Sequence, residues 1–372
     1  MNKRRILIAP LDWGLGHASR CVPLIHALLA NGAEVILAAD RKPLELLRSE
    51  FPALEWQRFP GYGLRFPSGG HLMLSLTLQI PKLIRGIARE HRLLQEIILE
   101  KKIDAVISDN RYGLWSGLVP CIFITHQLFI RAPFGSRLLN LLNKSIISRY
   151  SECWVPDQEG TPNYSGELSH KNSKPANTWY IGTLSRFSTS PEIAQGLNYD
   201  LLFIVSGPEP QRSIFENKIR LQLKELRSPL KYLIVQGLPN TPGLPDTQGL
   251  PDTQGLPVTS VPHLSSSEMQ KAIMAADLIV SRPGYSTIMD LSRFDKKAVF
   301  VPTPGQSEQI YLGEKLKSEK TAWSISQDRF SLPQALLKSK EYSGFHAAPG
   351  NPSLLNKRIL MLLGDSKPPS SV

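Results

Sequence analysis

A recurring short apolar run, ended each time by a polar, Gly or Pro turn, restricts this chain more than any other feature. Arg5–Pro10, Glu34–Ala39, Asp104–Asp109, Cys121–Thr125 and Glu152–Pro156 carry it in the first half. Asp200–Ser206, Lys231–Gln236, Asp277–Ser281 and Ala298–Val301 carry it in the second. These runs lack in–out alternation, so each suits a strand covered on both faces. Helical stretches lie between them, such as the one expected from Ser19 to Asn31 and stopped by Gly32. Strand–helix alternation of this kind builds parallel α/β sheets.

At 372 residues the chain exceeds one ordinary core. Residues 157–178 are polar and rich in Gly, Asn, Ser and Pro, which reads as a loop or hinge, and Tyr180–Arg186 closes the first half. The expected architecture is two Rossmann-like α/β domains facing a central cleft. The expected boundaries are 1–180 and 181–350. A C-terminal helix in 351–372 (its apolar run is Ser353 to Leu363) is expected to pack back on the first domain, ahead of a flexible tail. Four Gly-Leu-Pro hexads begin at Gly237, Gly243, Gly249 and Gly255. Proline in every copy removes ladder donors, so the repeat is expected to be an expanded, mobile surface loop without a chemical role.

Hydrophobic residues make up 41% and charged residues 20%, as in a globular protein. With 43 Lys+Arg against 32 Asp+Glu the net charge is +11, which suits an acidic partner. No arginine-rich arm or aromatic platform accompanies the charge, so nucleic acid is not expected. Cys21, Cys121 and Cys153 lie far apart, which fits a reducing compartment and no zinc or disulfide framework. The run after Met1 is too short for a signal peptide, and no apolar run is long enough to span a membrane. A cytoplasmic location is expected. Two amphipathic basic stretches, Leu72–Gln95 and Leu128–Arg149, are either core-facing helices or a surface for peripheral contact with anionic lipid.

Candidate chemistry lies at strand ends. The first loop holds Gly14 and Gly16, but Ser19 stands where a dinucleotide fingerprint needs its third glycine, so no nicotinamide or flavin cofactor is expected. His17, in that Gly-rich turn, is either a general base or substrate ligand, or a hydrogen-bonder at the helix start. Asp109 ends its strand and can orient His17, or can cap a helix. His126 and Gln127 end the next strand, which makes His126 a rival base. In the second half Arg186 and Arg212 are candidate phosphate partners. Pro208 and Pro210 make the loop before Arg212 a poor amide cradle. Arg282 either joins the phosphate partners or packs against the sheet. After Pro283 a helix is expected to start with Gly284, Ser286 and Thr287, whose end suits a phosphate, while Asp290 suits a ribose. A second Pro-rich loop leads to Gln309.

These motifs resemble GT-B glycosyltransferases of the family 28-like group, which includes peptidoglycan N-acetylglucosaminyltransferases and, more distantly, the UDP-glycosyltransferases. The resemblance covers nearly the whole chain and is most specific from Val261 to Gln309. It implies an acceptor-binding first domain and a second domain holding a UDP-sugar as co-substrate, with no cofactor. Gly284, Ser286 and Thr287 would cradle the diphosphate, Asp290 the ribose and Gln309 the donor sugar. The backbone at Leu264 would read the uracil, and Arg186 would reach the phosphates. Gly14 and Gly16 fall in the acceptor loop that ends in His17, which Asp109 would support as base. Asp replaces the usual Glu at 290, and Ile310 replaces a second glutamine. The implied activity is hexosyl transfer to a hydroxyl of a glycan or lipid-linked acceptor, inverting and metal-independent. The chain has no DxD motif. Two other readings stay open: a nucleotide-sugar 2-epimerase of the same fold, and a non-catalytic sugar-nucleotide or lipid-binding protein.

Overall fold

The computed structural model describes residues 3–63, 79–132, 135–187, 197–226, 230–238, 258–346 and 352–364. They form two compact units. One is built from the chain up to Arg186 and from the C-terminal helix, the other from Phe187 to Pro349.

The first unit is a seven-stranded sheet. Its strands are β1 (Arg5–Pro10), β2 (Glu34–Ala39), β3 (Glu55–Arg58), β4 (Ala105–Asp109), β5 (Cys121–Ile124), β6 (Glu152–Val155) and β7 (Thr178–Tyr180). The order is β3-β2-β1-β4-β5-β6-β7, and every pairing is parallel. Helices α1 (Leu15–Ala30), α2 (Arg41–Glu50), α3 (Ile80–Glu100) and α4 (Ser136–Ile147) connect the strands. Leu7, Ala9, Ile36 and Val106 share one core with Leu94, Ile97 and Ile98 of α3. Ile6, Ile8, Val35 and Leu37 are as deeply buried on the opposite side of the pleat. Burial on both faces is why these strands are continuously apolar. β3 breaks the pattern. Its sequence Glu-Trp-Gln-Arg is polar because it is an edge strand with little to bury, and the apolar-run reading did not find it.

The second unit is a six-stranded parallel sheet of β8 (Tyr199–Ile204), β9 (Tyr232–Val235), β10 (Val258–Val261), β11 (Ala276–Ser281), β12 (Lys297–Phe300) and β13 (Trp323–Ser324). Its order is β10-β9-β8-β11-β12-β13. Its helices are α5 (Gln211–Glu225), α6 (Ser266–Ala275), α7 (Tyr285–Leu291), α8 (Ser307–Ser318) and α9 (Leu332–Lys338). Leu201, Phe203 and Val205 pack on Phe215 and Ile219 of α5. Residues 239–257 of the hexad repeat lie outside the described residues. The repeat's last residues, Val258–Ser260, are not loop: they pair with Tyr232–Ile234 as part of β10.

The last helix, α10 (Pro352–Leu363), packs on α1. Its Arg358 ion-pairs with Glu152 and stacks 4.1 Å over Trp179, which fixes it to the β6–β7 edge of the first unit. Residues 72–78 of the first amphipathic stretch and the tail after 364 lie outside the described residues. In the second stretch, α4 turns Asn143 and Ile147 inward and leaves Leu138, Leu141 and Leu142 exposed. No described helix is long and apolar enough to cross a membrane.

Both sheets reverse direction once. In the first unit the chain winds outward from β1 and then returns at β4 on the other side; in the second the same happens between β8 and β11. The crevice outside the carboxyl ends at such a reversal is where doubly wound sheets bind ligands.

Candidate functional site

At the reversal of the first sheet, β1 and β4 stay paired to their last residues, Pro10 and Asp109, and Leu11 N–H donates to the Asp109 carbonyl at 2.9 Å. The strand end is therefore rigid, and only the Asp109 carboxylate is left for the loop. That loop turns at Gly14, whose φ of +115° and ψ of 176° suit only glycine. The turn lets α1 start at Leu15, earlier than the expected Ser19. His17 consequently lies in the first helical turn rather than in a loop ahead of it, and Gly16 is helical too.

His17 Nδ1 is 3.0 Å from Asp109 Oδ1. A third member, Arg20, completes the group. Its Nε donates to Asp109 Oδ2 at 2.5 Å and its Nη2 donates to Oδ1, while Nη2 also lies 2.8 Å from His17 Nδ1. Arg20 Nη1 reaches His126 Nδ1 at 3.2 Å, so both histidines of the sequence reading meet at one guanidinium. Cys21 Sγ lies 3.7 Å from Asp109 Oδ2. Arg20 was not among the expected site residues. Its spacing could have found it: three residues after His17, it shares that residue's helical face. An arginine buried among Ala18, Cys21, Val22 and Leu24 needs a carboxylate partner. Gln127 is half-buried; its N–H donates to Thr125 Oγ1 and its carbonyl accepts from Asn143.

Asp109 and Arg20 are 0% and 3% exposed, so their charges interact in a poorly solvated site. Burial alone would raise the Asp109 pKa; the Arg20 guanidinium, helped by His17, outweighs it and holds Asp109 down at about 2. His17 moves below the usual 6.5. Burial is the main cause, Arg20 adds to it, and Asp109 opposes it. At neutral pH the pair is a carboxylate and a neutral imidazole. Burial and Asp109 keep the Cys21 thiol protonated.

The loop after β4 is braced from behind. Arg111, fully buried, pairs with Glu90 at 2.7 Å and donates to the carbonyls of Pro10, Phe59 and Pro60. Tyr62 O–H donates to the other Glu90 oxygen at 2.8 Å. This satisfied buried network ties the ends of β1, β3 and β4 together.

In the second unit Gly284 caps α7 and Ser286 and Thr287 lie half-buried in its first turn, with Asp290 buried one turn beyond Ser286 on the same face. Leu264 is buried just ahead of α6, whose start is fixed by the reciprocal Ser265–Glu268 capping box. Gln309 Oε1 accepts from Thr303 N–H at 2.8 Å and so shapes the loop after β12. Arg186 is the half-buried last residue of the first unit. Two expected phosphate partners are engaged within the second unit. Arg282 is 1% exposed. It donates to the carbonyls of Val301, Pro302 and Gln211 and stacks 4.3 Å over Phe215; it is a buried strut between β11, β12 and α5. Burial lowers its pKa to about 9. Arg212 is committed to Glu209 and Glu216, at 2.5 and 2.8 Å. Among the described residues no group of three His, Cys, Asp or Glu side chains is set to hold a metal ion.

Residues 246–349 match the family model described as the glycosyltransferase family 28 C-terminal domain. The second unit is similar to that family's C-terminal domain over the matched residues. Leu264, Gly284, Ser286, Thr287, Asp290 and Gln309 all fall inside the matched residues. A 58-residue stretch is 40% identical to the UDP-N-acetylglucosamine--N-acetylmuramyl-(pentapeptide) pyrophosphoryl-undecaprenol N-acetylglucosamine transferases of Rickettsia africae and Rickettsia rickettsii. The match spans 15% of this chain and 15% of each relative's length.

The whole chain is similar in fold to solved glycosyltransferases. SnogD from Streptomyces nogalater matches at TM-score 0.63 and 14% identity, over 98% of this chain and 100% of that one. MurG of Acinetobacter baumannii matches at TM-score 0.52 and 17% identity, over 99% and 96%. SsfS6 of Streptomyces sp. SF2575, solved with thymidine diphosphate, matches at TM-score 0.56 and 13% identity, over 97% and 96%. The residues that match the family model thus fall in the second half of a GT-B fold, the fold expected from the sequence motifs.

Proposed function

We propose that this protein is a glycosyltransferase that moves a hexosyl group from a UDP-sugar to an acceptor hydroxyl, with inversion and without a metal ion. The observation that carries this is the His17–Asp109 pair at the reversal point of the first sheet, in a chain whose second unit is similar to the family 28 C-terminal domain.

The first unit has the parts of a general base. His17 donates through Nδ1–H to Asp109 Oδ1, which leaves the Nε2 lone pair for an acceptor O–H. The Asp109 carboxylate stabilises the imidazolium as it forms. The oxygen attacks the anomeric carbon, the bond to the donor phosphate breaks, and the diphosphate leaves with the electron pair. Direct displacement inverts that carbon. The motif likeness assigns Gly284, Ser286, Thr287 and Arg186 to the diphosphate, Asp290 to the ribose, Leu264 to the base and Gln309 to the sugar. Main-chain amides and arginine would take the role that a cation plays elsewhere. The Rickettsia relatives' name supports a UDP-sugar donor and a lipid-linked acceptor. The exposed Leu138, Leu141 and Leu142 near Arg137 and Lys144 support peripheral contact with an anionic membrane, which in this reading is met from the cytoplasm.

The test is incubation of the full chain with UDP-N-acetylglucosamine and related UDP-sugars, alone and with hydroxyl acceptors, including lipid-linked glycans. Acceptor-dependent UDP release with a glycosylated product supports the reading. Conversion of the donor sugar without acceptor would make the protein an epimerase, and tight binding with no turnover on any acceptor would make it a binding protein.

A further inference from the structure

Among the described residues three buried hydroxyls have no hydrogen-bond partner: those of Thr178, Tyr199 and Thr303. Thr178 and Tyr199 open β7 and β8, so they lie at the amino ends of their sheets. Thr303 lies at the opposite end, in the loop that leaves the carboxyl end of β12, and is 2% exposed. A buried hydroxyl without a partner is costly, so its presence calls for a reason. The rest of Thr303 is satisfied. Its N–H donates to Gln309 Oε1 at 2.8 Å, and its carbonyl accepts from Gln306 N–H at 3.1 Å. Pro304, next in the chain, disfavours helical backbone at Thr303, and branching at Cβ restricts the side chain. The hydroxyl is thus held in place with nothing to bond.

Strands β8, β11 and β12 are neighbours in the second sheet, so the loops after them adjoin at its carboxyl ends. Gly207 lies in the loop after β8, with a φ of +113° that favours glycine. Outside the adjoining residues, the place a side chain would take there has one described atom within 4 Å, Thr303 Oγ1 at 3.6 Å. The corresponding place at Gly284, after β11, likewise meets only Thr287 Oγ1, at 3.7 Å. Two bare glycines and two hydroxyls therefore line adjoining loops. Pro208 and Pro210 deprive the loop after β8 of two amide donors. Thr303 Oγ1 faces that loop with a donor of its own.

We infer, on the donor reading proposed above, that Thr303 is a further donor-binding residue, whose hydroxyl donates to an oxygen of the diphosphate. The sequence motifs assign it no role. A diphosphate suits this place better than a sugar or a nucleoside. The bare glycines let a bulky group approach the main chain, and a hydroxyl bonds an anionic oxygen more strongly than a neutral one.

Thr303→Val tests this in the full chain, because valine keeps the shape and removes only the hydroxyl. An orphaned group is lost, so the ligand-free variant should unfold at the same temperature as wild type or higher. Its affinity for UDP, by calorimetry, should fall about 10–100-fold, as loss of a hydrogen bond to a charged group would. Affinity for uridine should not change, and Thr303→Ser should bind UDP nearly as wild type does. The opposite signs separate this role from a structural one: lower stability with undiminished UDP affinity overturns the inference. An equal loss for UDP and uridine overturns it in favour of the nucleoside, and a loss confined to UDP-sugars overturns it in favour of the sugar. Should Thr303→Val not fold, the Thr303 methyl signal of wild type, labelled at threonine methyls, reads the same contact. It should shift with UDP far more than with uridine, and an equal shift or none overturns the inference. A wild type that binds neither UDP nor a UDP-sugar defeats the donor reading and this inference together; one that binds UDP unaffected by Thr303→Val defeats this inference alone.

Discussion

Replacing Asp109 by Asn separates the structural and chemical roles of one carboxylate. The fall of its pKa from 3.8 to about 2 corresponds to roughly 2–3 kcal/mol of preference for the ionised form in the folded state. Asn forfeits that and also leaves Arg20, 3% exposed, as a buried cation without its counter-ion. Breaking a buried pair from one side costs about 3–5 kcal/mol, so the single variant should be destabilised by about that amount. Removing both charges, as in Asp109→Asn with Arg20→Met, should recover much of the loss, because no orphaned charge remains. The assay is urea unfolding of both variants, read by hydrogen exchange of β1 and β4 amides so that the first unit alone is followed. A single-variant cost below about 1 kcal/mol, or a double variant as unstable as the sum of the singles, would refute the reasoning. The sign with pH is fixed as well. Asp109's contribution is present above pH 3.8 and is lost as pH falls towards about 2.

Four further outcomes follow from the geometry of the two units. Because His17 is held below 6.5, the acidic limb of kcat/KM should lie below pH 6.5, and a limb above it, measured over a full profile, would contradict a buried neutral base. The His17 contribution to stability should fall in the same direction, since the unfolded imidazole takes a proton at 6.5 before the folded one does. Asp290→Ala should weaken UDP binding about tenfold in calorimetry, as loss of a charged hydrogen bond to a ribose would; unchanged affinity removes its assignment. Arg282→Met should lower stability by roughly 3 kcal/mol while the folded variant keeps its UDP affinity, because the guanidinium braces β11 against β12 and α5.

The sheets were legible because parallel strands buried on both faces are written as unbroken apolar runs. What escaped follows from the same physics. Glu55–Arg58 pairs fully with β2 yet buries little, so its sequence is free to be polar. β10 emerges from a Gly-Leu-Pro repeat that reads as loop until its final residues. His17 and Asp109 were legible as strand-end residues of a doubly wound sheet, and the structure brings them to hydrogen-bonding distance. The place of Arg20 on the His17 face was readable from spacing, but its carboxylate partner, Asp109, is distant in sequence and only the fold supplies it. Arg282 and Arg212 show the converse: a cation near a phosphate-like loop reads as a ligand, and only the structure reveals that buried carbonyls engage the one and local acids the other.

The most direct test of the account pairs two readings on the same preparations of wild type and His17→Ala: UDP-sugar affinity by calorimetry and acceptor-dependent UDP release. The account predicts that the variant binds the donor as wild type does while turnover drops about 10²–10⁴-fold. Undiminished turnover, or donor affinity lost in step with turnover, would contradict it.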